Sequence, residues 1–161
     1  EVAGAAGMQQ SALISTLNQI LDTLEDAHAG YQVAAQGLKD MKMKRALGQI
    51  ALERKGFGEE VRTEIVRRGA APPGHGTFAG ALHRGWIQLK ELGHATPATI
   101  LEECGRGEAA SIRIFKDALA TDLPPEVRQT LAIQLELITA AREKILELRR
   151  STVGVPDAPK S

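Results

Sequence analysis

Four polar side chains interrupt the apolar stripes of the predicted helices, and their types could bind a metal ion or form ion pairs. They are His28, Glu53, Glu108 and Arg142. Each lies near the middle of a helical pattern, at a position where the spacing predicts a core residue. Counting residues from the predicted turns puts all four at a similar depth. We therefore expect one buried polar cluster inside a bundle of helices.

The first interpretation of this cluster is a metal site. Di-iron and di-manganese bundles use one Glu from each of two helices and a Glu-x-x-His pair from each of the other two. Glu25 and His28 form such a pair at the right depth, whereas Glu91 and His94 lie at the end of a connecting segment. The complete set is therefore not present. A partial iron or manganese site would use Glu25, His28, Glu53, Glu103 and Glu108.

The second interpretation is an internal salt-bridge network, which the sequence favours. Arg142 can supply the positive charge that a metal would otherwise supply, and its planar fork suits a carboxylate. We expect it to pair with Glu108, because buried charges need a partner. A third possibility stays open, in which some of these residues rotate to the surface. At Glu53, for example, Arg54 is the alternative inward residue.

The lone cysteine, Cys104, lies on the inner face of the third long helix. A single cysteine excludes an internal disulfide and fits a reducing compartment such as the cytoplasm. On an apolar helix face a cysteine behaves as a small hydrophobic residue, so we assign it no catalytic role. We predict no catalytic residues elsewhere in the chain.

The elements that must position these residues are helices, because 43% of the chain is hydrophobic but only 3% is aromatic. Apolar residues recur at a spacing of three or four in long segments. The predicted long helices are Met8 to Leu38, Met41 to Arg68, Thr96 to Leu119 and Pro124 to Arg150, and a short helix at Phe78 to Leu92 lies in the connecting segment.

Residues typical of turns and helix ends predict how these helices connect. The very short link at Lys39 and Asp40 predicts an antiparallel hairpin, and Gly69 ends its second helix. Thr96 and Pro97 are typical of a helix start. The long crossover between Gly69 and Thr96 lets the third long helix run parallel to the second. The sequence thus predicts an all-α, ferritin-like four-helix bundle, with a plain up-down bundle as the competing fold.

We expect the domain to occupy residues 8–150, with a tag-like or disordered start at 1–7 and a disordered tail at 151–161. The formal net charge is zero, which gives no reason to expect nucleic-acid binding. No apolar run approaches the ~20 residues that span a membrane. We therefore expect no membrane partner.

Several motifs resemble those of a bacterial ferritin-like family of unknown function. They are LHRGWIQLK at 82–90, ILEECGRGE at 100–108, DLPPEVR at 122–128, AGYQVAA at 29–35 and ERKGF at 53–57. The resemblance implies a ferritin-like bundle from a bacterial cytoplasm, linked to stress physiology, with no established reaction. In that family a carboxylate tends to replace His28, another replaces Gly105, and a histidine replaces Arg142. This chain thus departs from the family at positions that could bind metal.

These observations lead to two expectations about function. The first is a non-enzymatic bundle without a cofactor that self-associates, as a homodimer, with Trp86 of the short helix as one candidate contact. Twofold dimers are the commonest oligomers. The second is a di-metal oxidase or iron-binding protein of the ferritin kind, using iron or manganese at the carboxylates named above.

Overall fold

The computed structural model describes residues 2–74 and 95–153, and its regular structure there is entirely helical. Four long helices are present: α1 is Val2–Gln36, α2 is Met41–Arg67, α3 is Pro97–Leu119 and α4 is Pro125–Val153. The predicted short helix at Phe78 to Leu92, with Trp86, lies outside the described residues. None of the described helices is both long and apolar enough to span a membrane.

The first and last helices are longer than the sequence pattern predicted. Helix α1 begins at Val2 rather than Met8, so residues 2–7 form helical turns instead of a loose tail. This stretch carries no apolar stripe, but its alanines favour helix without any tertiary contact. Helix α4 continues to Val153, three residues past Arg150. Both differences arise at helix ends that extend beyond the core. The apolar spacing of the sequence predicts only the part of a helix that packs against the core.

The helix ends predicted at Gly69 and Thr96 are present, and Asp40 provides a further cap that was not predicted. Gly69 has a φ of 80°, the left-handed conformation that ends α2 and that glycine adopts without strain. At the start of α3, the Thr96 side chain accepts a hydrogen bond from the Thr99 backbone, while Thr99 closes the reciprocal bond. Asp40 caps α2 by accepting a hydrogen bond from the Met43 amide at 2.9 Å. These caps fix where each helix starts and hence which residues face inward.

The helices form two antiparallel hairpins, α1 with α2 and α3 with α4. The hairpins pack so that α1 is antiparallel to α3 and α2 is antiparallel to α4, which makes α3 parallel to α2 as predicted. The contacts that set these directions are Gln10 with Arg68, His28 with Ala51, Glu102 with Arg149, Tyr31 with Glu108, and Arg68 with Glu126.

The core consists of two apolar clusters stacked along the bundle axis. The first draws on Leu17, Leu21, Val61, Phe115 and Leu131, among others. The second draws on Ala34, Leu47, Leu101, Ile145 and Leu148, among others. Every helix contributes to both clusters. The segments between the clusters carry the buried polar residues Asp26, Arg54, Glu108 and Ser111, so the site lies in a polar layer at mid-bundle.

Candidate functional site

Glu108 occupies the inner face of α3 between the two apolar clusters, as the sequence predicted. Its side chain is 1% exposed. The Oε1 atom accepts hydrogen bonds from the Tyr31 hydroxyl on α1 and from Arg54 Nη2 on α2, the latter at 2.8 Å. Residues from three helices therefore meet at one carboxylate oxygen.

Arg54 supplies the positive charge of this site. Its side chain is 0% exposed, and Nη1 binds Glu53 Oε1 while Nη2 binds Glu108. The guanidinium carbon also lies 5.7 Å from the centre of the Phe57 ring, within reach of a cation–π interaction. The Glu53 side chain is 33% exposed, so it forms the solvent-side end of a carboxylate–guanidinium–carboxylate chain.

The electrostatics of the site follow from its depth. Burial raises the pKa of Glu108, and the Arg54 cation and the Tyr31 hydrogen bond oppose that rise. Burial and the neighbouring Glu108 raise the pKa of Tyr31, so the phenol stays protonated and donates. The same two causes raise the pKa of the Cys104 thiol far above its ordinary value. Cys104 is therefore a neutral thiol with little nucleophilic character.

Four buried polar atoms of this layer have no hydrogen-bond partner among the described residues. They are Asp26 Oδ1, Glu108 Oε2, Arg54 Nε and Arg142 Nε. Such atoms in a protein interior are commonly satisfied by an ordered water. The Oε2 atom of Glu108 thus remains available as a hydrogen-bond acceptor, whereas Oε1 already takes part in the ion pair with Arg54.

The predicted pairing of Arg142 with Glu108 is wrong, because the guanidinium bound to Glu108 belongs to Arg54. Arg142 is partly buried on α4 and forms no ion pair with any residue in the described ranges. Adjacent helical residues point about 100° apart. Position 54 therefore faces the centre of the bundle, and Glu53 reaches the network only from its edge.

His28 lies at the predicted depth, but its ring bonds the backbone of α2 and not the side chains of the polar cluster. Its Nδ1 lies 2.8 Å from the Ala51 carbonyl oxygen, which accepts the ring N–H and joins α1 to α2. The ring is half-buried at the hairpin interface. His28 therefore contributes to the hairpin, and the polar cluster contains Tyr31, Arg54, Glu53 and Glu108.

The five predicted metal ligands are not brought together. Glu25 forms an ion pair with Arg62. Glu103 forms another with Arg106 on the same helix, where Glu103 Oε1 lies 2.8 Å from Arg106 Nη1. Within the described parts of the chain, no group of three His, Cys, Asp or Glu side chains is arranged to hold a metal ion. A di-metal centre needs carboxylates that face a shared cation. Here the Arg54 guanidinium occupies that position, so these residues do not fit such a centre.

An open groove of about 570 Å³ lies between α2 and α4, away from the polar cluster. Two of its carboxylates already have partners. Glu60 accepts a hydrogen bond from Gln134 at 2.8 Å, and Glu64 pairs with Arg68 at 2.8 Å. The groove includes none of the predicted site residues.

Comparisons with known proteins agree with this architecture. Residues 12–121 match a family described as "Domain of unknown function (DUF2383)". Among curated protein sequences, none matches the chain. A solved structure of a Dps1 mutant from Mycobacterium smegmatis superposes with a TM-score of 0.72 at 12% identity, covering 88% of this chain and 97% of that one. At this identity the similarity concerns the fold, which is the ferritin-like four-helix bundle.

Proposed function

Because the chain belongs to the DUF2383 family of unknown function and has a ferritin-like fold, we propose that it is a non-enzymatic, self-associating bundle. In this proposal an internal ion-pair network stands where a ferritin-like protein could carry two metal ions. The bacterial origin, the cytoplasmic location and the link to stress physiology remain expectations from the sequence resemblance.

The observation that carries the proposal is the position of the Arg54 guanidinium. It is fully buried and bonded to Glu53 and Glu108 at once. A metal ion at the same carboxylates would place two positive charges beside a third, at an energetic cost that rises in the low-dielectric interior. Arginine does not lose its proton in proteins, so the guanidinium cannot give way by becoming neutral.

Support for self-association comes from large apolar side chains on the surface. Leu52 and Val66 on α2 and Ile133 and Leu137 on α4 are all exposed. These residues make the surface the part of the molecule that is available for recognition. A C2 homodimer is the simplest assembly of this kind.

Elemental analysis of protein purified without chelator, followed by anaerobic titration with Fe²⁺ and Mn²⁺, tests the metal-free half of the proposal. We expect well under one metal ion per chain and no saturable binding. The matched variant is Glu108→Gln, which keeps the shape of the side chain but removes its charge. Stoichiometric iron or manganese that disappears in Glu108→Gln would overturn the proposal in favour of a ferritin-like metal protein.

A further inference from the structure

An exposed stripe runs along the outer side of α2, and its member Glu59 also borders the groove between α2 and α4. Arg45, Leu52, Glu59 and Val66 are spaced by seven residues, so they lie nearly in line along the helix. Leu52 is 63% exposed and Val66 is 57% exposed. A seven-residue spacing keeps these four side chains on one face of the helix, with Leu52 as an apolar residue between two charged ones.

The surface around Leu52 is open to a close approach. Gly48 and Gly56 lie one turn before and one turn after it, and a Cβ atom built on either would meet nothing within 4 Å. Without side chains at these positions, another helix can bring its backbone close to α2 and bury Leu52. Leu52, the apolar centre of the stripe, thus lies between two glycines that leave the helix surface open.

The charges of the stripe are symmetric about Leu52 and opposite in sign. Arg45 lies seven residues before it and Glu59 seven residues after, which is about 10 Å along the axis in each direction. Both side chains are exposed, and neither forms an ion pair with a described residue. An antiparallel copy centred on Leu52 would therefore place Arg45 against the partner's Glu59, and Glu59 against the partner's Arg45.

From this self-complementarity we propose that the outer face of α2 is the contact between two copies of this chain, packed antiparallel about a twofold axis at Leu52. The inference rests on the self-association in the proposed function and names the surface that performs it. An isologous contact requires one patch to fit itself. A contact with a different protein would not require opposite charges at equal distances on either side of one exposed leucine.

Charge reversal tests the register of the contact, with sedimentation velocity across the micromolar range as the measurement. Arg45→Glu and Glu59→Arg each place like charges together and should raise the dimer Kd by about tenfold or more. The double variant restores opposite charges at both contacts, so its Kd should return to within about threefold of wild type. Reversals that leave the wild-type Kd unchanged would show that the dimer uses another face.

Disulfide trapping tests the position of the axis. A twofold axis at Leu52 brings the two Cα atoms there within disulfide range, so Leu52→Cys should cross-link under mild oxidation. Val66→Cys is the matched control, because it is similarly exposed but lies about 21 Å along the helix from the axis. Cross-linking at Val66→Cys and not at Leu52→Cys would overturn the inference while leaving self-association intact. A wild-type chain that is monomeric at every concentration would overturn both.

Discussion

A guanidinium that is removed from water stays charged and needs anionic partners to offset its lost hydration, and Arg54 has two of them. Burying an ion pair costs several kcal/mol per ion, and good geometry with extra hydrogen bonds offsets that cost. Here the Tyr31 hydroxyl adds a bond to the Glu108 oxygen that Arg54 also uses. Glu53 is more exposed and contributes less, because water screens its charge. The Arg54–Glu108 pair is therefore the dominant polar interaction of the core.

Arg54→Met should destabilise the fold by about 3–5 kcal/mol at pH 7, because it leaves Glu108 buried without a cation. Urea denaturation followed by circular dichroism measures this loss. Arg142→Leu is the matched control, since it removes an arginine of the same layer that forms no ion pair with described residues; it should cost under about 1 kcal/mol. Equal losses in the two variants would contradict the central role of Arg54.

The double variant Arg54→Met with Glu108→Gln separates charge from packing. Replacing both partners removes the unpaired charge, so the double variant should be more stable than Arg54→Met alone.

The pH dependence of Arg54→Met follows from the raised pKa of Glu108. In the folded protein Glu108 takes up a proton more readily than in the unfolded chain, so the contribution of Glu108 to wild-type stability falls as pH rises from the unfolded to the folded pKa. Removing the cation raises the folded pKa further. The deficit of Arg54→Met should therefore be largest near neutral pH and shrink in mild acid, where Glu108 is protonated.

At the level of single helices, the ends set the register of the polar layer. The reciprocal bonds between Thr96 and Thr99 fix the first turn of α3, and Glu108 lies three turns further along the same helix. Arg128 adds a second constraint at the other end of α3, donating to the carbonyls of Leu119 and Thr121. The inward direction of Glu108 thus depends on where α3 starts and stops.

Thr96→Ala should lower the stability of the protein by about 1 kcal/mol, because it removes the side-chain oxygen that accepts the Thr99 amide. Thermal unfolding measures the change. Thr63→Ala is the matched control, since its hydroxyl bonds the Glu59 carbonyl within an exposed helix interior, where alanine is the better helix former. A loss in Thr63→Ala as large as in Thr96→Ala would argue against a specific capping effect.

For the molecule as a whole, a polar layer separates two apolar clusters that could in principle unfold independently. The helices argue against independence, because all four run through the layer and belong to both clusters. Opening one cluster would expose the Arg54–Glu108 pair to water and would break each helix in its middle. We therefore expect one cooperative unit.

Leu131→Ala in one cluster and Leu101→Ala in the other test this cooperativity. Both leucines are fully buried, so each truncation should cost about 2–5 kcal/mol. Amide hydrogen exchange should show the same loss of protection in the slowest-exchanging amides of both clusters for either variant. A loss confined to the truncated cluster would reveal two separate units.

The helices and their connections could be predicted from the sequence because their causes are local. The apolar spacing placed the four long helices, Thr96 and Gly69 marked two of their ends, and the long crossover indicated that α3 runs parallel to α2. The inward position of Glu108 also followed from its spacing among apolar neighbours. Residues 2–7 were not recognised as helix, since a helix beyond the core has no apolar stripe.

The partner of Glu108 was decided by the tertiary structure. Position along a helix predicts the depth of a side chain, and Arg142 and Arg54 are both at mid-bundle depth. Which of the two reaches Glu108 depends on rotations of about 100° per residue and on how two hairpins dock, and neither quantity is encoded locally. Arg54 was visible as the alternative inward residue to Glu53, and Tyr31 appeared within the motif AGYQVAA at 29–35. Only the packing of α1 and α2 against α3 makes them the donors that satisfy a buried carboxylate.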